Sequence, residues 1–172
     1  MSCLLTQGFP LDCRDAVGGV KAVRFASLAQ WNALDATVAS GEVQSFGSVS
    51  TVFYKYEQLK ETSFMSDNAT GSIQAGTLFY TPTLTVVLPK LSAAKAREIK
   101  LLAQNRLVAL VESNDGTIYV LGAGNGIEVI TATGASGTAF GDLNGYTIAF
   151  EGREKEPFYT VSLALADSVT NA

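Results

Sequence analysis

The sequence predicts a mainly β fold, a barrel or sandwich of about eight or nine mostly antiparallel strands flanked by one α-helix. Short stretches of alternating apolar and polar residues recur along the chain. Polar turn sequences separate them, and Asn114-Asp115-Gly116 and Asn144-Gly145 are the strongest. A single amphipathic helix pattern interrupts the strands. The 172 residues are most simply one domain.

The most informative stretch runs from Leu78 to Leu121. It begins inside a long predicted strand, Ser72 to Leu88, in which apolar residues alternate with threonines. Pro89 ends this strand. Pro82 lies within it, and because proline has no N–H to donate, we expect it at an edge, at a bulge or beyond the paired part.

A helix follows from Ala93 to Gln104, with Ser92 as its N-cap and Asn105 as its stop. Its apolar stripe is narrow, so we expect the helix to plug one end or flank of the barrel. The stripe consists of Ile99, Leu102 and Ala103. Strands at 106–112 and 117–121 then surround the Asp115-Gly116 turn as a hairpin.

The remaining elements are shorter. Further strands are predicted at 20–25, 51–59, 61–67, 127–132, 146–151 and 158–165. Leu28, Trp31 and Leu34 have helical spacing after Ser27, which favours one or two helical turns there. The chain is completed by an extended N-terminal arm (1–19), a loop segment (32–50) and a polar C-terminal tail (166–172).

Composition limits the possible functions. Charged residues make up only 16% of the chain, which favours an oligomer that buries more surface than a monomer. The net charge is −4, so the chain lacks the basic excess that grips nucleic-acid phosphates. A neutral or negative surface past which nucleic acid slides remains compatible with this charge.

The chain contains no histidine, which excludes His-based acid/base catalysis and His-ligated metal sites. Cys3 and Cys13 are too few for a disulfide framework or a Cys-only zinc site. They could pair with each other or pack as small hydrophobes, and unreactive thiols in a reducing cytoplasm are favoured. We therefore expect no enzymatic activity, cofactor or metal. No run of about 18 apolar residues and no signal peptide is present, so we expect no membrane association.

Three short motifs are similar to known binding or catalytic motifs. Gly122 to Gly126 resembles a nucleotide-binding glycine-rich loop, but its last glycine would fall at Ile127 and no helix follows, so a hairpin turn is predicted. Asp142 and Asn144 could begin a calcium-binding loop, but the bidentate acidic residue that such a loop requires further on is missing. Acidic and basic residues alternate in a third stretch, which predicts a solvated connection and no acid/base pair. That stretch is Arg153, Glu154, Lys155 and Glu156.

Two groups of side chains allow more than one interpretation. Five aromatic residues could form a stacking platform for single-stranded nucleic acid, although core and interface positions are favoured. They are Tyr54, Tyr56, Phe79, Tyr80 and Tyr119. Around the helix lie 5 of the 12 basic residues, which form a solvated face or a contact with an acidic neighbouring subunit. They are Lys90, Lys95, Arg97, Lys100 and Arg106.

The order of several segments resembles the tail-tube structural proteins of tailed bacteriophages. A strand closes on Leu88-Pro89-Lys90-Leu91, and a short helix, the strand 106–112 and a DG hairpin follow. A glycine-rich loop, Gly137-Thr138-Ala139 and the run 141–147 come next, and the opening Cys3…Cys13-Arg14-Asp15…Gly18-Gly19 is also similar. The stretch 26–50 carries none of this resemblance.

The resemblance implies a single tail-tube-like β domain over 1–172 that forms hexameric rings. These rings would stack into a tube in the virion tail, assembled in the bacterial cytoplasm, through which double-stranded DNA passes without specific contacts. It also implies tape-measure and tail-terminator proteins as partners. By position, the arm (1–19), the segment 32–50 and the tail (166–172) would reach neighbouring subunits.

Seven residues are predicted at the subunit interface: Phe9, Arg14, Asp15, Phe46, Phe79, Thr85 and Val87. The strand 72–88 is expected to meet the neighbouring subunit, with Val86 in the core and Val87 on the opposite, outward face. Alternatives are a neck-ring, tail-terminator or capsid-decorating virion protein. A small-ligand-binding β-barrel or an enzyme is a further one.

Overall fold

A computed structural model describes residues 7–11, 13–14 and 16–171. The predicted mainly β, mostly antiparallel fold is confirmed. The strands are β1 (Val20–Ser27), β2 (Ala36–Ala39), β3 (Glu42–Phe46), β4 (Phe53–Glu57), β5 (Phe64–Ser72), β6 (Thr77–Pro89), β7 (Leu107–Ser113), β8 (Ile118–Leu121), β9 (Ile127–Ala135), β10 (Gly145–Gly152), β11 (Tyr159–Val161) and β12 (Thr170–Asn171). The helices are α1 (Leu28–Ala33), α2 (Ala93–Gln104) and α3 (Leu163–Ser168).

The strands form one large mixed sheet of two parts. One part runs β2-β3-β11-β8-β7-β1-β4-β12, and the other, the four-stranded sheet, runs β9-β10-β6-β5. The two parts are joined by a single pairing, Leu107 with Ile127. The sheet does not close into a barrel, and its 12 strands exceed the predicted eight or nine.

The central strand β7 is buried on both faces. Leu107, Ala109 and Val111 face a first core, which lies between β1, β7 and the four-stranded sheet. Val108 and Leu110 face a second core on the other side. Because neither face meets water, the strand is apolar throughout its length except at its end.

Helix α2 forms where the sequence predicts it. Ser92 accepts a hydrogen bond from the Lys95 N–H at 3.2 Å, which caps the first turn. Ile99 and Leu102 are its buried residues, and they belong to the first core. The predicted turns after Ser27 are also confirmed as α1, where Ser27 and Gln30 form a capping box. In the described part of the chain, no helix is long and apolar enough to cross a membrane.

Pro82 lies where a ladder is interrupted, which confirms that it falls beyond a paired part. Strand β10 pairs with β6 between Thr83 and Pro89, and beyond this lies only an isolated bridge from Tyr80 to Glu154. On its other side β6 pairs with β5, including Asp67 with Pro82. The missing proline N–H therefore costs no ladder bond on the β10 side.

Three predicted segments differ in the structure. The predicted loop 32–50 contains the β2–β3 hairpin. The sequence does not predict this hairpin because the alternation of apolar and polar residues in its strands is short and mostly polar. Strand β5 continues to Ser72, beyond the end of the strand predicted at 61–67, and the chain reverses at 73–76. The predicted last strand ends at Val161 and is followed by α3.

The predicted polar tail 166–172 is wrong for its described part. Ala166 and Val169 are fully buried in the second core. The Val169 carbonyl accepts from the N–H groups of Val52 and Phe53, at 2.9 and 3.0 Å. These residues are therefore part of the chain's own core.

A buried arginine ties α3 to the centre of the sheet. Arg24 on β1 has 2% of its surface exposed, and its Nη2 lies 3.1 Å from Glu112 Oε2 and 2.9 Å from Asp167 Oδ1. Lys21 Nζ lies 2.6 Å from the other Glu112 oxygen. Arg24 Nε and Nη1 have no partner among the described residues. Two carboxylates thus compensate a guanidinium that could not otherwise remain buried.

Leu110→Ala tests the burial of β7. We expect a loss of about 3 kcal/mol in the free energy of unfolding, because the substitution opens a cavity in the second core. Urea denaturation measures it. Leu101→Ala on α2, where the side chain is 48% exposed, should cost under about 1 kcal/mol. Equal losses from the two variants would contradict the placement of β7.

Glu112→Gln tests the buried ion pair and its pH dependence. Desolvation acts to raise the pKa of Glu112, but the Lys21 hydrogen bond and the Arg24 charge outweigh it, so the pKa lies below its ordinary value. The ionised carboxylate therefore stabilises the fold above the unfolded-state pKa of about 4.3, and this contribution is lost as pH falls through the lower folded-state pKa.

At pH 7 we expect Glu112→Gln to cost about 3 kcal/mol in urea denaturation, and the difference from wild type to shrink towards pH 3. Glu128→Gln is the matched control. Its carboxylate pairs with Arg106 at 3.0 Å, but both side chains are exposed. That change should stay within about 0.5 kcal/mol at every pH. A pH-independent cost for Glu112→Gln would refute the role given to its charge.

Candidate assembly surface

The four-stranded sheet ends in two strands with unpaired outer edges. Strand β5 pairs with β6 alone, and β9 pairs with β10 and, at Ile127, with β7. Along Phe64–Ser72 and along 128–135, the outer edges have no strand partner among the described residues. Neither strand contains proline or lysine, the residues that commonly protect an edge from pairing with another chain.

One face of this sheet is polar and lacks basic residues from its own strands. It is the face opposite the first core, and no lysine or arginine occurs anywhere in β5, β6, β9 or β10. Arg153, just beyond β10, lies 3.3 Å from Glu151 and 5.7 Å from the Phe79 ring centre. The face also includes Phe64, Ser66, Asn68, Thr70, Thr81, Thr83, Thr85, Val87, Glu128, Thr131, Thr133, Thr147 and Ala149.

The described part of the N-terminal arm exposes large apolar side chains. Phe9 and Leu11 are almost completely exposed, and Arg14 and Cys13 are also exposed. The Gly18 carbonyl accepts a hydrogen bond from Asn114 Nδ2, and the Gly19 carbonyl accepts one from the Asn114 N–H. Asp15, which the sequence also predicts at the interface, and Cys3 lie outside the described residues.

The other predicted interface residues lie on two strands, β3 and β6. Phe46 packs edge-on against Trp31, with ring centres 5.9 Å apart, so it is engaged within its own subunit. Phe79 and Thr85 are half-buried on the polar face of β6. The structure therefore does not gather the predicted residues into one surface, and their interface role stays a prediction.

The expected outward position of Val87 is wrong. It lies on the face opposite Val86, as predicted, but only 6% of it is exposed. Its N–H donates to Gln58 and Ser63 at 3.2 and 3.3 Å. Strand β6 pairs with β5 from Thr77 to Thr85 and with β10 from Thr83 to Pro89, so it leaves less unpaired backbone than the two outer strands. The open edges belong to β5 and β9.

The glycine-rich turn 122–126 connects the two parts of the sheet. It joins β8 to β9, which do not pair with each other in the described structure, so the predicted hairpin is wrong. Gly122 has φ of +81°, and a Cβ there would lie 2.8 Å from the Ile127 nitrogen and 2.9 Å from the Leu107 carbonyl oxygen. A residue with a side chain does not fit here, because the backbone at Gly122 passes close to the backbone of Leu107 and of 126–127.

Glu154 fills the concave side of this turn. Its Oε1 accepts from the Asn125 N–H at 2.9 Å, and Asn125 Nδ2 donates to the Arg153 carbonyl at 2.7 Å. Burial raises the pKa of Glu154, and bonds from the turn's amides oppose this only in part. The prediction that this connection is solvated is thus wrong for Glu154. Its carboxylate accepts hydrogen bonds from backbone amides that could otherwise bind an anion.

A cleft of about 320 Å³ opens beside the turn and contains a second carboxylate. Asp67 Oδ2 accepts from the Phe158 N–H at 3.1 Å, while the buried Oδ1 has no hydrogen-bond partner in the described structure. Pro82, Phe158 and Tyr159 line the apolar side. The described residues contain no group of three or more acidic, cysteine or histidine residues that could bind a metal ion.

Helix α2 leaves most of its surface exposed. Arg97 and Lys100 are exposed, and neither has a carboxylate within 4.0 Å among the described residues. Lys95 Nζ donates to the Pro89 carbonyl, and Arg106 is paired with Glu128. The basic group predicted around the helix is therefore partly used within the subunit, and Arg97 and Lys100 remain on the exposed face.

The features missed from the sequence depend on contacts between distant segments. Asp67 and Glu154 are 87 positions apart, and each follows an ordinary polar pattern. The lack of lysine and arginine in four strands, by contrast, is visible in the sequence once the strands are known to be neighbours. Comparison with protein-family models, curated proteins and solved structures gives no significant match.

Proposed function

We propose that this chain is a self-assembling structural protein whose rings stack into a tube, as in the tails of bacteriophages. The observation that carries the proposal is the four-stranded sheet with two unpaired outer strands. In closed rings each copy pairs its β5 edge with the β9 edge of the next, and both open edges of the four-stranded sheet are satisfied.

Strand direction is compatible with such a ring. Neighbours in the four-stranded sheet are all antiparallel, so β9 and β5 run in opposite directions. Rotation about a ring axis preserves the direction of every strand relative to that axis. The β5 edge of one copy therefore meets the β9 edge of the next in antiparallel orientation, the commoner and slightly more stable pairing.

The polar face would line the channel. Six copies, the number that the family resemblance implies, place 24 strands about 4.8 Å apart around a barrel about 40 Å across, which leaves an open interior. The first core and the rest of the subunit lie on the other face. A threonine-rich wall whose strands carry no lysine or arginine, and beside which Arg153 is paired with Glu151, offers DNA few cationic phosphate contacts, so DNA would pass without being held.

Cysteine cross-linking tests the junction. In a Cys3→Ser, Cys13→Ser background, Asn68→Cys on β5 is combined in turn with Thr131→Cys, Thr133→Cys or Ala135→Cys on β9, to sample the registers of the two edges. Within one copy these positions are three strand spacings apart, about 14 Å, beyond the reach of a disulfide. Oxidation can therefore link only different copies.

We expect at least one pair to give a ladder of linked species that ends in a closed ring on non-reducing gels. The reduced protein should form rings about 100 Å across, or tubes, in negative-stain images. Each single-cysteine variant is the control, and none should give a linked species. A monomer at high concentration, or dimers from Asn68→Cys alone that indicate β5–β5 pairing, would refute the ring.

A further inference from the structure

We propose that the exposed basic face of α2 in one copy packs against the acidic cleft of the next copy in the ring. The partner is thus a second copy of this chain, and the contact lies behind the sheet junction. The inference rests on the proposed function, because it requires β5 of one copy to lie beside β9 of another.

The two surfaces lie on the same side of the four-stranded sheet. Asp67 pairs with Pro82, two residues from Leu84, whose side chain is in the first core. Side chains two apart share a face, so Asp67 and its cleft lie on the first-core side. Ile99 and Leu102 place α2 on that side as well.

The two surfaces also lie at opposite edges of this sheet. Asp67 belongs to the edge strand β5, and α2 contacts the other edge strand, β9. When copies join head to tail, β9 of the next copy lies beside β5 and brings its own α2 along. The helix of one copy then faces the cleft of the other, and the same contact repeats around the ring.

Charge complementarity supports this pairing. The cleft carries Asp67, Glu154 and Glu156 against a single lysine, Lys155. Glu156 is exposed and has no lysine or arginine within 4.0 Å in the described structure, so its carboxylate can accept a hydrogen bond from a cation. On the helix, Arg97 and Lys100 are exposed without a carboxylate partner in the described structure. An ammonium or guanidinium from the next copy would satisfy both sides.

The helix surface is suited to close contact. Ala93 and Ala96 are exposed beside the two basic residues, and their small side chains allow a neighbouring surface to approach the backbone. Glu98, the acidic residue of the helix, lines a different groove together with Tyr56, and its charge contributes to the raised pKa of that tyrosine. The negative charge of the helix is thus directed away from the proposed contact.

Zero-length carbodiimide cross-linking of mixed ¹⁴N- and ¹⁵N-labelled assemblies tests the contact directly. We expect a peptide in which Lys100 of one isotope is joined to Glu156 of the other, identified by mass spectrometry. The mixed label shows that the bond joins two copies. Assembly without any cross-link between Lys100 and Asp67, Glu154 or Glu156 overturns the inference while leaving the ring itself intact.

Charge reversal gives an independent measure. Lys100→Glu should raise the critical concentration for assembly roughly tenfold, because it places like charges together. Adding Glu156→Lys should restore it to within about threefold. Lys60→Glu is the matched control, an equal charge change at an exposed lysine between β4 and β5, and should have under about a twofold effect.

The outcomes separate the two proposals. If wild type assembles but Lys100→Glu behaves as Lys60→Glu does, the helix–cleft contact is refuted and the edge junction stands. If Lys100→Glu weakens assembly and Glu156→Lys fails to rescue it, the cleft is not the partner surface. If wild type never assembles, both proposals are refuted. Thermal unfolding of the dissociated variants checks that each one is folded.

Discussion

The burial of β7 on both faces is the constraint on which the rest of the structure depends. A strand of this kind needs apolar layers on its two sides, and the chain supplies them from different segments. The four-stranded sheet and α2 cover one face. Helices α1 and α3 with β3 and β4 contribute to covering the other. The two cores lie on opposite faces of the sheet, and β7 contributes buried side chains to both.

This arrangement also accounts for the open edges. Because β7 pairs along its length with β1 and β8, β9 can join it at one position only. The four-stranded sheet is therefore packed face-on against the rest of the subunit and is almost unconnected to it at its edges. Its two outer strands are left with unpaired backbone groups, which another chain can satisfy.

Local sequence patterns predicted the elements whose signals are local. Ser92, Asn105 and the spacing of Ile99 and Leu102 located α2, and Asp115-Gly116 located the β7–β8 hairpin. The sequence does not predict the short strands β2, β3 and β12, because each is stabilised by its partner strands and shows little alternation of apolar and polar residues. The turn at Gly122 differs from the predicted hairpin because a hairpin requires its two flanking strands to pair, and the glycines of the turn do not determine which strands pair.

The candidate site was less predictable than the fold. Val87 contacts Ser63, which is more than twenty positions away in the sequence. The alternation of residues in its own strand predicts only that Val87 lies on the face opposite the core, so its burial is not predicted. The cleft brings together Asp67 and Glu154 through the Tyr80–Glu154 bridge, a contact that no local pattern indicates. Arg24 reads as an ordinary polar position in β1, although it is among the largest fully buried side chains.

Hydrogen exchange, compared between dissociated and assembled protein, tests the central claim that the β5 and β9 edges join the copies. We expect amides of both edge strands, 64–72 and 128–135, to gain protection on assembly as unpaired N–H groups find partners. Amides of β6, which pairs with β5 from Thr77 to Thr85 and with β10 from Thr83 to Pro89, should change little. Assemblies in which neither edge strand gains protection would contradict the account.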